Sequence, residues 1–174
     1  MVDDRDPAAH WAMGRALWLR DRPDQSLVEL ERAVELSPNF ALGHYTLAFV
    51  RAQSGDPRAA ISSSDYSRQL SPCDPLLFGM LCTRAVALAR LGELVEAADW
   101  AAKAADRPNA HPHILAIAAF TLALTGALEE ARGYAAAIHR AQPQYTVAGF
   151  LGAFRFDPQG TALFRKGAKL IGMA

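Results

Sequence analysis

Small and apolar residues recur along the chain with a period of about 34 residues. The recurrence is clearest in three segments that begin with Gly and carry Ala five residues later: Gly55–Ala60, Gly92–Ala97 and Gly126–Ala131. Each segment leads into a run with helical spacing of apolar residues that ends near a proline. Because one helical hairpin cannot bury its apolar side alone, this repetition predicts stacked helical hairpins.

Equivalent positions define four copies of the hairpin. The turn residues, at steps of 34, 37 and 34, are Asp21, Gly55, Gly92 and Gly126. The small residues near the start of the second helix are Ser26, Ala60, Ala97 and Ala131, and the terminating prolines are Pro38, Pro72, Pro108 and Pro143. The three extra residues of the second step, Pro75–Leu77, are predicted to lengthen the next helix at its start, where proline is tolerated.

This order of turn, small residue and proline resembles the tetratricopeptide repeat (TPR). The resemblance implies an all-α fold, a right-handed α-solenoid of about four helix pairs with C-terminal capping helices. Residues 1–174 are expected to form a single TPR domain. Its repeats are expected at about 7–40, 41–74, 75–110 and 111–145, and the capping helices at 146–174.

The two ends of the array raise separate questions. Beyond Pro143 the sequence predicts a helix over Tyr145–Phe154 and a last helix that begins at Pro158 and is capped by Asp157. We expect these helices to cap the stack, and the alternative is that the last helix folds back into the groove and blocks it. No cap is visible before Pro7, so a homodimer through the uncapped first repeat is a hypothesis.

In TPR arrays the first helix of each pair lines a concave groove. The residues of this chain at matching positions are Trp11, Arg15, Tyr45, Phe49, Cys82, Val86, Ile117 and Phe120. We expect a protein or peptide partner, as a peptide or a helix, to bind this apolar and aromatic groove, with Trp11, Tyr45 and Phe120 exposed to it. The competing interpretation is that aromatic residues such as Trp18 and Phe49 only fill the space between helix pairs.

Composition narrows the class of partner. Eighteen basic residues balance eighteen acidic ones, so no net charge favours nucleic acid or an anionic membrane, and neither is expected as a partner. The first residues lack the apolar core of a secretory signal, and the apolar stretch Ile114–Leu124 is shorter than the ~20 residues that span a bilayer. We therefore expect a cytoplasmic protein in which Cys73 and Cys82 are reduced.

No pattern in the chain indicates catalysis or metal binding. The histidines His10, His44, His111 and His113 lack the further ligands at suitable spacing that zinc requires. A phosphate-binding glycine loop and a nucleophile elbow are also missing from the sequence. The sequence thus predicts a non-enzymatic interaction domain without cofactor or metal.

A narrower resemblance suggests an alternative function. The segments Ser37–Tyr45 and Leu70–Phe78, together with the tail from Phe156, are similar to the C-terminal TPR region of some bacterial class III adenylate or guanylate cyclases. A similar region follows the winged-helix domain of certain transcriptional regulators. The resemblance implies a regulatory module that acts on a separate cyclase or winged-helix domain, in the same chain or in another.

Overall fold

The computed structural model describes residues 4–108 and 110–173. Within these ranges the chain forms ten α-helices and no strands. The helices are α1 (Pro7–Leu19), α2 (Pro23–Leu36), α3 (Ala41–Ser54), α4 (Pro57–Leu70), α5 (Leu77–Arg90), α6 (Leu94–Ala105), α7 (Pro112–Thr125), α8 (Leu128–Ala141), α9 (Val147–Ala153) and α10 (Pro158–Leu170). In the described part of the chain, no helix is long and apolar enough to cross a membrane.

Helices α1 to α8 form four pairs, each held together at its small residues. Ala60, Ala97 and Ala131 have no exposed surface where the two helices of their pairs cross. In the first pair Ser26 takes this position, and its hydroxyl donates a hydrogen bond of 2.7 Å to the carbonyl of Gly14. Larger side chains at these positions would hold the helices apart. The observed pairs confirm the predicted arrangement of tandem helix pairs.

The turns within the pairs adopt two different backbone conformations. Asp21, Gly92 and Gly126 have φ values of 60°, 82° and 90°, in the left-handed region that glycine adopts most easily. Gly55 has a φ of −96°, so the second turn does not depend on glycine for that reason. The repeat of Gly in the sequence therefore reflects backbone conformation in the third and fourth pairs.

The extra residues between the second and third pairs do not lengthen a helix. Helix α5 begins at Leu77 and has 14 residues, the same number as α3 and α7. The insertion instead lies in the preceding turn, where the Asp74 carboxylate accepts a 2.8 Å hydrogen bond from the Leu76 amide. This bond stabilises a turn of the Asx type before the helix, and the sequence prediction was wrong on this point.

The array curves with its first helices on the inside. Successive first helices pack on one another, α1 on α3, α3 on α5 and α5 on α7, whereas successive second helices make no comparable contacts. Helices on the inner side of a curved stack lie closer together than those outside. The first helices therefore line the concave face.

The C-terminal segment returns along that face. Helix α9 is shorter than predicted and begins after Thr146, whose hydroxyl accepts a hydrogen bond from the Gly149 amide. Helix α10 is capped by Asp157 as predicted and packs mainly on α7, with further contacts to α5 and α9. Because α5 and α7 are first helices, this corresponds to the alternative in which the last helix folds back over the groove.

Burial makes α10 part of the core. Phe164 and Ala168 have no exposed surface, and Phe164 lies in a cluster of aromatic rings with Phe150 and Phe156. Gly167 lies so close to α7 that an added Cβ would be 3.0 Å from Cα and C of Phe120 and closer still to its carbonyl oxygen. Helix α10 is therefore docked through a glycine at the point of closest approach.

Candidate functional site: a cavity on the concave face

The first helices and the C-terminal segment enclose a cavity of about 420 Å³ that is partly open to solvent. We call it the concave cavity. It is lined by Arg15, Tyr45, Phe49, Ala52, Gln53, Phe78, Gly79, Cys82, Thr83, Val86, His111, His113, Ile114, Ile117, Ala153 and Phe154. Six of the eight groove residues predicted from the sequence are among them: Arg15, Tyr45, Phe49, Cys82, Val86 and Ile117.

The other two predicted residues lie elsewhere. Phe120 has no exposed surface, because α10 covers its backbone and its ring packs edge-on against Phe150 at 5.2 Å. The expectation that Phe120 is exposed in the groove was therefore wrong. Trp11 is half-buried between the first two pairs, where its indole N–H donates to Thr46 Oγ1 at 2.8 Å and its ring meets Phe40. Trp11 thus joins two pairs and does not line the cavity.

Two aromatic side chains, Trp18 of α1 and Phe49 of α3, pack together between the first and second helix pairs. Trp18 is 7% exposed and packs edge-on against Phe49 with ring centroids 5.1 Å apart. Trp18 therefore fills space between pairs, as the competing interpretation proposed. Phe49 has both roles, because its ring also lies 6.1 Å from that of Phe154 in the cavity wall.

An arginine at the end of α5 ties the C-terminal segment to the repeats. Arg90 Nη1 donates to the carbonyls of Arg51, Ala52 and Gly55 at 3.0–3.1 Å, at the C-terminal end of α3, where helix carbonyls need hydrogen-bond donors from outside the helix. Its Nη2 lies 2.5 Å from the Asp157 carboxylate, and the Arg90 side chain is only 9% exposed. This partly buried pair fixes the start of α10 against the second and third pairs.

Gln53 and Arg155 form a second connection between the repeats and the C-terminal segment. The Gln53 side-chain carbonyl accepts from the Arg155 amide at 2.7 Å, and the Gln53 backbone carbonyl accepts from the Asp157 amide at 3.1 Å. The Arg155 guanidinium lies over the Trp18 ring at 5.4 Å and 3.5 Å from the Asp21 carboxylate. The segment 153–157 therefore contacts the first three pairs and holds Phe154 in the cavity wall.

The cavity is apolar with a few polar groups. Burial raises the pKa of the Tyr45 hydroxyl and of the Cys82 thiol, so both stay protonated at neutral pH. Tyr45 lies over α5 where glycine leaves room, since a Cβ on Gly79 would collide with the Tyr45 hydroxyl. Arg15 is half-exposed at the edge of the cavity and brings a positive charge to it. A protonated, buried thiol is a poor nucleophile, so this arrangement favours binding over covalent chemistry.

Two histidines lie at the start of α7 beside the cavity. His111 caps the helix by accepting from the His113 amide at 3.2 Å. His113 Nδ1 lies 2.8 Å from the Tyr145 hydroxyl, and burial, with a smaller effect of His111, lowers the pKa of His113 below its usual 6.5. His113 is therefore neutral at neutral pH and contributes a ring to the wall.

Helical spacing could have indicated some of the cavity-lining residues that the sequence analysis did not predict. Phe78 precedes Cys82 by four residues, and His113 and Ile114 precede Ile117 by four and three, so they lie on the same helix faces as predicted residues. Ala153 and Phe154 carry no such signal, because they reach the cavity only through the return of the C-terminal segment. The sequence does not indicate that path.

Two further histidines, His10 and His44, contact nearby polar groups. His10 Nδ1 lies 2.7 Å from the Glu29 carboxylate, and His44 Nε2 lies 2.9 Å from the Pro38 carbonyl. Among residues 4–108 and 110–173, no group of three or more His, Cys, Asp or Glu side chains could hold a metal ion. His10 and His44, which occupy equivalent repeat positions, therefore both have polar contacts within the protein.

Comparison with known proteins identifies the repeats. Residues 7–32 and 81–103, in the first and third helix pairs, match the model of the tetratricopeptide repeat. Among solved structures, the crystal structure of YrrB, described as a TPR protein with an unusual peptide-binding site, is similar with a TM-score of 0.63 and 14% identity. The similarity covers 97% of this chain and 88% of that chain, whereas curated proteins gave no match.

The fold is accordingly that of a TPR solenoid, with helix pairs in tandem. At 14% identity the likeness to YrrB shows the fold alone, since one fold carries many functions. Function must therefore be argued from the concave cavity.

Proposed function

We propose that this chain is a non-enzymatic protein-interaction scaffold, which holds an apolar segment of a partner polypeptide in the concave cavity. The observation that carries the proposal is the cavity itself, of about 420 Å³ and walled mainly by aromatic and aliphatic side chains. Cavities of this size and character commonly bind ligands, with most of the affinity from buried apolar surface. The TPR fold and a structural neighbour described as peptide-binding support a polypeptide as the ligand.

The C-terminal segment limits how the partner binds. Helix α10 occupies the concave side of α5 and α7 and belongs to the core, so a long partner helix has no room along those helices. The partner instead inserts one or two side chains between Tyr45, Phe49 and Val86. This binding mode fits an apolar recess that remains open beside a groove largely occupied by the C-terminal segment of the chain.

Capture of a cellular partner by the intact chain tests the proposal. Val86→Trp should abolish capture, because the larger side chain occupies the cavity, and Tyr45→Ala should weaken it by removing a wall. Val95→Trp is the matched control, since Val95 is 72% exposed on α6 and away from the cavity. A partner retained equally by all three variants would refute the site, provided that their thermal melts match that of the wild type.

Two finer hypotheses accompany the proposal. A regulatory role toward a cyclase or winged-helix domain would require such a domain in the same reading frame or as the captured partner, and sequencing upstream or mass spectrometry of the partner decides this. A homodimer through the first repeat would use the outer face of α1, where Met13 is 49% exposed. Sedimentation of a strict monomer at high concentration would exclude the homodimer.

A further inference from the structure

We infer that the segment bound in the concave cavity carries an acidic side chain next to a bulky apolar one, and that its carboxylate pairs with Arg15. The inference rests on the proposed function and specifies the chemistry of the partner. The apolar side chain lies between Phe49, Val86 and Phe154, and the carboxylate lies at the edge that α1 provides.

Charge is the first argument. Among the described residues that line the cavity, Arg15 is the one Lys or Arg, and none is an Asp or Glu. Within the described ranges Arg15 has no ion pair or hydrogen bond, whereas Arg90 and Arg155 next to the same cavity are both held by carboxylates. A cation beside an apolar recess therefore has no counter-ion of its own, and an acidic group on the partner would supply one.

The Tyr45 hydroxyl is the second argument. No hydrogen-bond partner for it is found among residues 4–108 and 110–173, although its side chain is half-buried at the cavity wall. The nearby acid Asp74 accepts from the Leu76 amide at 2.8 Å. The protonated hydroxyl is a donor, so a carboxylate between Tyr45 and Arg15 would accept from both groups.

Size favours a short polypeptide segment. The volume of about 420 Å³ is too small for a helix, yet it accommodates an aromatic side chain with its neighbouring residue. The cavity opens to solvent, so the backbone of the partner can continue outside. These features assign the site to a partner segment with adjacent acidic and aromatic residues.

Four probes test this chemistry by NMR titration of the intact ¹⁵N-labelled chain. Three are blocked peptides, acetyl-Ala-Glu-Phe-Ala-amide and its versions with Gln for Glu or Ala for Phe, and the fourth is 3-phenylpropionate. We expect the Glu-Phe peptide to bind about tenfold more tightly than the Gln-Phe peptide, as a charge-assisted hydrogen bond implies. Arg15→Gln should remove that difference, whereas Arg20→Gln, at an exposed arginine just beyond α1, should preserve it.

The outcomes separate this inference from the proposed function. Equal affinity for the Glu-Phe and Gln-Phe peptides would overturn the acidic requirement alone. Equal affinity for the Glu-Phe and Glu-Ala peptides would instead count against the apolar cavity as the binding site. Tighter binding of 3-phenylpropionate than of any peptide would assign the cavity to a free acid and overturn the inference. Absence of binding by all four probes would also overturn the inference. The capture experiment with Val86→Trp tests the proposed function independently.

Discussion

Gly167→Ala tests whether α10 is docked on the concave face. The new Cβ would lie 3.0 Å from two backbone atoms of Phe120, whereas carbon atoms in contact prefer about 3.5–4.0 Å. Backbone atoms cannot rotate away, so α10 must move by roughly 0.5–1 Å and loosen the packing of Phe164. We take about 3 kcal/mol for this overpacking, offset by about 0.5–1 kcal/mol that Ala gains over Gly inside a helix.

The net loss of about 2 kcal/mol predicts a melting temperature about 4–8 °C lower for a chain of this size. Thermal unfolding followed by circular dichroism measures it. Gly133→Ala is the matched control, because an added Cβ on this residue of α8 meets no atom within 4 Å. The control should be stabilised by about 0.5–1 kcal/mol. A Gly167→Ala variant that melts like the control would refute the docking of α10 on α7.

Three further changes test other parts of the structure. Ala97→Phe should lower the free energy of unfolding by about 1–3 kcal/mol, since Ala97 is fully buried at a helix crossing, and an unchanged melt would contradict that packing. Arg90→Ala should cost about 3 kcal/mol in chemical denaturation, because Asp157 loses its cationic partner and the carbonyls at the end of α3 lose the guanidinium as a donor; a cost below about 0.5 kcal/mol would show the contact open in solution. The contribution of His113 to stability should fall as the pH falls below 6.5, because its lowered pKa in the folded chain lets the unfolded chain bind the proton first. Denaturation curves on both sides of that pH should show a weaker dependence for His113→Gln, and an identical dependence would exclude His113 as its source.

The tandem helix pairs could be predicted because local sequence determines them. Small residues at Ala60, Ala97 and Ala131 are required wherever two helices cross closely, and this requirement repeats with each pair. The resemblance to TPR arrays, which rests on the same period, indicated the face of the first helices, and six of the residues predicted there line the cavity. Periodic features of this kind depend on neighbours that are near in sequence.

The path of the C-terminal segment could not be predicted in the same way. It depends on contacts far apart in sequence, such as the Arg90–Asp157 pair and the bond between Gln53 and the Arg155 amide. These contacts place Phe154 in the cavity and bury Phe120, which a repeat pattern alone would leave exposed. The turn at Asp74 was missed for a different reason, a local one, because an Asx turn and a first helical turn share the same residue types.

The contact between a bound aromatic side chain and the cavity wall tests the central claim most directly. Isotope-filtered NOE spectra of the ¹³C-labelled chain with unlabelled acetyl-Ala-Glu-Phe-Ala-amide report such contacts. We predict NOEs from the peptide Phe ring to the methyl groups of Val86, Ile114 and Ile117, which all line the concave cavity. NOEs to exposed methyls such as those of Val28 or Val95 in their place would contradict binding in the concave cavity.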